Sequence, residues 1–110
     1  MRVAVVGSRT LTNIELGRYI SEDAEEIVSG GAVGVDSCAA EYARRKGLRL
    51  TEILPQYERY GRGAPIVRNK EIVDYADQVL VFWDGNSRGT RSVIQYAEKI
   101  GKPVEVILCK

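Results

Sequence analysis

Histidine is missing altogether from the 110 residues, which removes Ser-His and Cys-His nucleophilic catalysis and every histidine-based metal site. The two cysteines, Cys38 and Cys109, lack CxxC spacing, so neither a zinc site nor a disulfide framework is expected. No sign of charge dominates: 16 Lys and Arg stand against 15 Asp and Glu, a net charge of +1. A dedicated binder of bulk nucleic acid carries a clear basic excess, so that class is disfavoured. Long apolar runs are lacking too. The longest, Val79-Leu80-Val81-Phe82-Trp83, falls far below the roughly 20 residues that span a bilayer, and no membrane partner is expected. Met1 leads straight into Val3-Ala4-Val5-Val6 with no n-region, long h-region or cleavage site, the pattern of a cytoplasmic protein.

What is present is ordinary globular composition, 45% apolar and 28% charged, in a length that fits one domain over residues 1–110. Five strands are expected at residues 2–6, 26–28, 48–54, 78–83 and 104–108. Several are near-continuous in Val, Ile and Leu, as strands covered on both faces of a parallel sheet are. Four helices are expected between them. The first covers 13–20, with Thr12 and Glu15 as a capping box. The second covers 35–46, with Val35, Cys38, Ala39, Tyr42 and Ala43 on one face and Gly47 as its stop. The third, 66–75, turns Ile66, Ile72, Val73 and Ala76 inward behind Pro65. The fourth, 90–100, groups Val93, Ile94, Ala97 and Ile100 and ends at Gly101. This alternation predicts a Rossmann-like three-layer α/β/α fold, an open parallel five-stranded sheet of order 3-2-1-4-5. Ligands of such sheets bind beyond the carboxyl ends of the strands, where the order reverses. The long connection at 55–64 is a candidate functional loop.

Three turns at that edge carry chemistry. Gly7-Ser8-Arg9-Thr10 follows the first strand, combining a permissive glycine, a hydroxyl and a planar guanidinium suited to phosphate. Ser29-Gly30-Gly31-Ala32-Val33-Gly34-Val35-Asp36 follows the second and feeds a helix whose free amides and dipole favour an anion. There Asp36 either satisfies helix-start amides or binds a ribose hydroxyl. Trp83-Asp84-Gly85-Asn86-Ser87-Arg88-Gly89-Thr90 follows the fourth strand and enters a second helix. Asp84 either holds a sugar hydroxyl or satisfies turn amides. Positive charge gathers at this edge in Arg9, Arg59, Arg62, Arg68, Lys70, Arg88 and Arg91 against Asp36, Glu58, Glu71 and Asp84, while the opposite edge carries Glu22, Asp23, Glu25, Glu26, Asp74 and Asp77. Neither GxGxxG after the first strand nor GxxxxGK[ST] occurs, so any phosphate cradle is of another type.

Together, Val5-Val6-Gly7-Ser8-Arg9, Ser29-Gly30-Gly31-Ala32-x-Gly34-x-Asp36, Arg68-Asn69-Lys70 and Ser87-x-Gly89-Thr90 resemble the motifs of the SLOG superfamily. These are Rossmann-like nucleotide-ligand domains that include DprA and the LOG phosphoribohydrolases. The resemblance covers nearly the whole chain and is greatest to the small stand-alone YspA/YpsA-related branch. It implies a ligand pocket of Gly7, Ser8, Arg9, Gly30, Gly31, Gly34, Asp36, Arg68, Asn69, Gly89 and Thr90, a role as sensor of nucleotide-derived molecules, and dimers or larger rings. The LOG motif PGGxGTxxE carries a catalytic glutamate, and Val93 stands at that position here. The resemblance therefore implies binding more than LOG-like hydrolysis.

The leading expectation is a binding module for a nucleotide or nucleotide derivative, with no further cofactor and no metal. Its ligand-binding residues are Gly7, Ser8, Arg9, Ser29, Gly30, Gly31, Gly34, Asp36, Arg68, Asn69, Asp84, Ser87, Gly89 and Thr90. A second expectation is a hydrolase or transferase at a nucleoside-phosphate or N-glycosidic bond, with Asp84 and Asp36 the only rim carboxylates in its candidate turns. A third is single-stranded nucleic-acid binding in the DprA manner, with Arg59, Arg62, Arg68, Arg88 and Arg91 beside Tyr57 and Tyr60 as stacking surfaces.

Overall fold

The computed structural model describes residues 1–109. Its strands are β1 (Arg2–Gly7), β2 (Glu26–Ser29), β3 (Arg49–Glu52), β4 (Gln78–Trp83) and β5 (Val104–Leu108). They form one parallel sheet in the order β3-β2-β1-β4-β5. Helices α1 (Val35–Lys46), α3 (Ala64–Tyr75) and α4 (Arg88–Ile100), with the single-turn α2 (Tyr57–Tyr60), complete a Rossmann-like fold.

The continuous apolar strands explain the layering. Successive side chains of a strand point to opposite faces, so Val3 and Val5 join α1, Leu16 and Ile20 in one core, with Phe82 the largest fully buried side chain. Ala4 and Val6 join Ile72, Val73, Val93 and Ala97 of α3 and α4 in the other. The central strands β1, β2 and β4 are covered on both faces, as their composition demands. The edges are not: β3 exposes Arg49, Leu50 and Glu52, and Leu108 of β5 is 55% exposed.

Several local expectations are corrected. Residues 13–20 form no helix beyond a 3-10 turn at Leu16–Arg18, and its flank lacks any side-chain cap. Asn13 takes a left-handed backbone (φ 57°) that ends helical continuation, while Leu16, Ile20 and Ala24 pin the segment to the core. The third strand is shorter than 48–54, and the helices begin earlier than expected, α3 at Ala64 and α4 at Arg88 with Ser87 as its cap. Ile66 and Ile100, expected inward, are instead exposed. The connection at 55–64 is not loop throughout: it holds α2 and a 3-10 turn at Gly61–Gly63. No helix among the described residues is long and apolar enough to cross a membrane.

At the amino ends of the strands a polar clasp ties the sheet to α3. Glu26, expected on a solvated acidic rim, is only 5% exposed. Its Oε2 accepts from the Tyr75 hydroxyl at 2.6 Å and the Thr51 hydroxyl at 2.7 Å, and Arg49 lies 3.7 Å from Oε1. Burial pushes this carboxyl up, but the Tyr75 and Thr51 hydroxyls and the nearby arginines outweigh it, leaving the pKa below the ordinary value. Arg2 stacks 4.3 Å from the Tyr75 ring centroid, and its amide donates to Asp77 at 2.7 Å.

Candidate functional site

At the opposite end, where strand order reverses around β1, lies a cleft of about 390 Å³. That is a volume for one small ligand. Of the residues expected to bind, Gly7, Ser8, Arg9, Gly30, Asp36, Arg68, Asn69, Asp84, Ser87, Gly89 and Thr90 line it. Ser29, Gly31 and Gly34 do not. Val6, Thr10, Ala32, Pro65 and Ile72 also line it and were not anticipated. Thr10 adjoins an anticipated triplet and was within reach of sequence reasoning. Pro65 and Ile72 come from α3, whose approach to the cleft has no local signature.

The turns after β1 and β4 form one unit. Ser8 is buried, and its Oγ accepts from the Asp84 amide at 3.3 Å. Asp84 Oδ1 accepts from the amides of Asn86 at 2.8 Å and Ser87 at 2.9 Å, folding the turn around the carboxylate. Those amides, Asn86 first, hold the Asp84 carboxyl below its ordinary pKa. Ser87 then caps α4: its Oγ accepts from the Thr90 amide at 3.4 Å and the Thr90 hydroxyl at 3.1 Å. A Cβ built on Gly89 would meet nothing within 4 Å. The first turn of α4 thus presents backbone, and the positive end of its dipole, to open space in the cleft.

The turn after β2 is built differently. Asp36 sits in the first turn of α1, and its Oδ2 accepts from the Ala32 amide at 3.0 Å. This helix start therefore already has a carboxyl group of its own against its amides. Asp36 is 9% exposed. Burial pushes its pKa up, opposed by the Ala32 amide and the charge of Arg68. Arg68 reaches in from α3: Nη1 donates to the Gly30 carbonyl at 2.8 Å and Nε to Asn69 Oδ1 at 2.9 Å. A Cβ on Gly30 would stand 2.5 Å from that Nη1, so the glycine makes room for the guanidinium.

Gly31 and Gly34 serve the chain, not the cleft. Both have positive φ, 70° and 76°, where a side chain is strained. A Cβ on Gly34 would lie 2.5 Å from the Arg9 carbonyl oxygen, and one on Gly31 would lie 2.5 Å from Leu54 Cδ2. Gly34 lets the turns after β1 and β2 pass; Gly31 lets the segment after β3 close in. Ser29 is fully buried and its Oγ accepts from the Gly31 amide at 3.4 Å.

Of the remaining candidates, Arg59, Arg62, Arg88 and Arg91 are exposed and outside the lining, as are Tyr57 and Tyr60. Arg59 stacks 5.2 Å from the neighbouring Tyr60 ring centroid. Val93, at the LOG glutamate position, is packed in the core between sheet and helices.

No protein-family model matches the chain. The Gene 61 protein of Mycobacterium phage D29 is 39% identical to it over an 84-position alignment that covers 71% of this chain and 67% of that protein.

Proposed function

The chain belongs to the family of the D29 Gene 61 protein, and we propose that it binds a nucleotide or nucleotide derivative in the cleft beyond β1. On this reading the chain is a SLOG-type ligand sensor. One observation carries it: the first turn of α4 at Gly89, where no side chain stands, opens into the same cleft as the Arg68 guanidinium. Free amides, a helix dipole and a planar cation together suit a phosphate group. Arg9, exposed at the rim, adds charge. Asp36 repels phosphate but accepts from hydroxyls, which suits a sugar on the β2 side. Calorimetry with nucleoside mono-, di- and triphosphates, ADP-ribose and ribose 5-phosphate tests the reading. Binding of at least one is expected, and heat from none of them overturns it.

One observation favours a second reading, cleavage of an N-glycosidic bond. Asp36 combines burial, a raised pKa and a place in the cleft, as a general acid requires. Asp84 does not qualify, since its amides hold it ionised. Release of free base from a nucleoside 5′-monophosphate, abolished in Asp36→Asn, is the expected result; no base release by the unaltered protein overturns it.

A further inference from the structure

We infer that a ribose hydroxyl of the ligand sits between Arg68 and Asp36, over Gly30, accepting from the guanidinium and donating to the carboxylate. The inference rests on the nucleotide reading above and narrows the ligand to nucleotides with an intact ribose, over their deoxy analogues.

Arg68, Asp36 and Gly30 line one cleft. Arg68 and Asp36 carry opposite charges, yet no ion pair joins them among the described residues. Each is fastened elsewhere. Arg68 Nη1 donates to the Gly30 carbonyl at 2.8 Å and Nε to Asn69 Oδ1 at 2.9 Å, which fixes the guanidinium plane. Asp36 Oδ2 accepts from the Ala32 amide at 3.0 Å. The gap left between them is narrow. The place a Gly30 Cβ would take lies 2.5 Å from Arg68 Nη1 and 3.1 Å from Asp36 Oδ2, so one ligand atom can come within hydrogen-bond reach of both. Unlike Gly31 and Gly34, Gly30 has no positive φ. Its backbone does not call for glycine; the space does.

The chemistry of the gap selects its occupant. Nη1 keeps one N–H beyond the bond to Gly30, and Oδ2 keeps a lone pair beyond the bond from Ala32. A phosphate oxygen only accepts, and would meet the carboxylate without a proton. An amino group only donates, and would meet the guanidinium with nothing to offer. A hydroxyl accepts and donates at a single atom, and in a nucleotide the sugar carries that group. Nη2 stays available to a phosphate. Because both partners are anchored in advance, an analogue without the hydroxyl leaves them both unanswered.

Calorimetry compares AMP with 2′-deoxy-AMP and 3′-deoxy-AMP on the unaltered protein and on Gly30→Ala, with circular dichroism confirming the fold. On the unaltered protein, one of the two analogues should bind about 20-fold more weakly than AMP. The Gly30→Ala methyl fills the gap, so that preference should disappear; Arg68→Ala, a second variant, should shrink it. If both analogues bind the unaltered protein as tightly as AMP, no ligand hydroxyl bridges the pair and the inference falls, although nucleotide binding stands. It falls too if the preference survives intact in both variants, since the selectivity then arises elsewhere. Absence of AMP binding also overturns it, and if no nucleotide of any kind binds, the reading beneath it falls as well.

Discussion

The two ends of the sheet treat buried polarity in opposite ways. At the amino end, Glu26 is surrounded by groups of its own chain, with Tyr75 and Thr51 both donating to one oxygen. At the carboxyl end, Asp36, Arg68 and the first turn of α4 each keep part of their capacity turned to an open cleft. A carboxylate ringed by its own chain contributes to folding; polar groups facing an opening add less and leave capacity for a ligand. The same fold thus sets a closed polar cluster and an open one a strand's length apart.

The sharpest way to break this comparison is to remove Glu26. Glu26→Ala strands the Tyr75 and Thr51 hydroxyls and should cost about 3 kcal/mol in urea unfolding, with nucleotide affinity unchanged in the folded fraction. A loss below about 0.5 kcal/mol, the range of an ordinary surface site, would remove the clasp from the argument. Next is Arg68→Ala. If Arg68 holds phosphate as proposed, its loss should weaken nucleotide binding about 30-fold, a cost of about 2 kcal/mol, while urea stability moves far less. Equal losses in both measurements would show that the carboxyl end is a clasp as well.

Gly89→Ala separates the two ends further. The added methyl meets nothing in the free protein, and Gly-to-Ala at a helical position should raise stability by about 0.5 kcal/mol. If a phosphate rests on this turn, affinity falls about tenfold even as the melting temperature rises. Unchanged affinity would move the phosphate elsewhere in the cleft.

The smallest effect is on pH dependence, where the two ends tilt oppositely. Glu26 has a folded-state pKa below its ordinary value. Its contribution is present above the ordinary carboxylate range and is lost as pH falls through the lowered value. Asp36 has a raised folded-state pKa. Its protonated form favours the fold, so that contribution is lost as pH rises from the ordinary value through the raised one. Glu26→Gln should flatten the acid side of a stability profile, and Asp36→Asn the decline just above it. An unchanged profile in either variant removes that residue's share.

Much of this was legible in the residues. The strand order and the location of the cleft follow from the alternation of apolar runs with helical faces, and β1, β2 and β4 lie where continuous Val, Ile and Leu put them. The helix at 13–20 was not legible as absent, because Thr12 and Glu15 satisfy a local pattern while Asn13 and the anchors Leu16 and Ile20 obey tertiary packing. That Gly31 and Gly34 stand outside the cleft lining was not legible for a related reason. A glycine required by close approach reads the same in sequence whether its neighbour is a ligand, Leu54 or the Arg9 carbonyl. Arg68 and Asn69 lie on α3, far along the chain from the glycine turns; charge position brought Arg68 forward, and only the family resemblance brought Asn69.

The hydrogen bond from the Asp84 amide to Ser8 has a kinetic consequence. It fastens the two turns to each other before any guest arrives, so their ordering entropy is lost during folding instead of on association. Encounter should then proceed in one exponential phase whose rate rises linearly with concentration, and the empty and filled backbones should superimpose within about 1 Å. Cutting that tie with Ser8→Ala would leave the turns to find each other on arrival, which stopped-flow traces would register as a slower, saturating step.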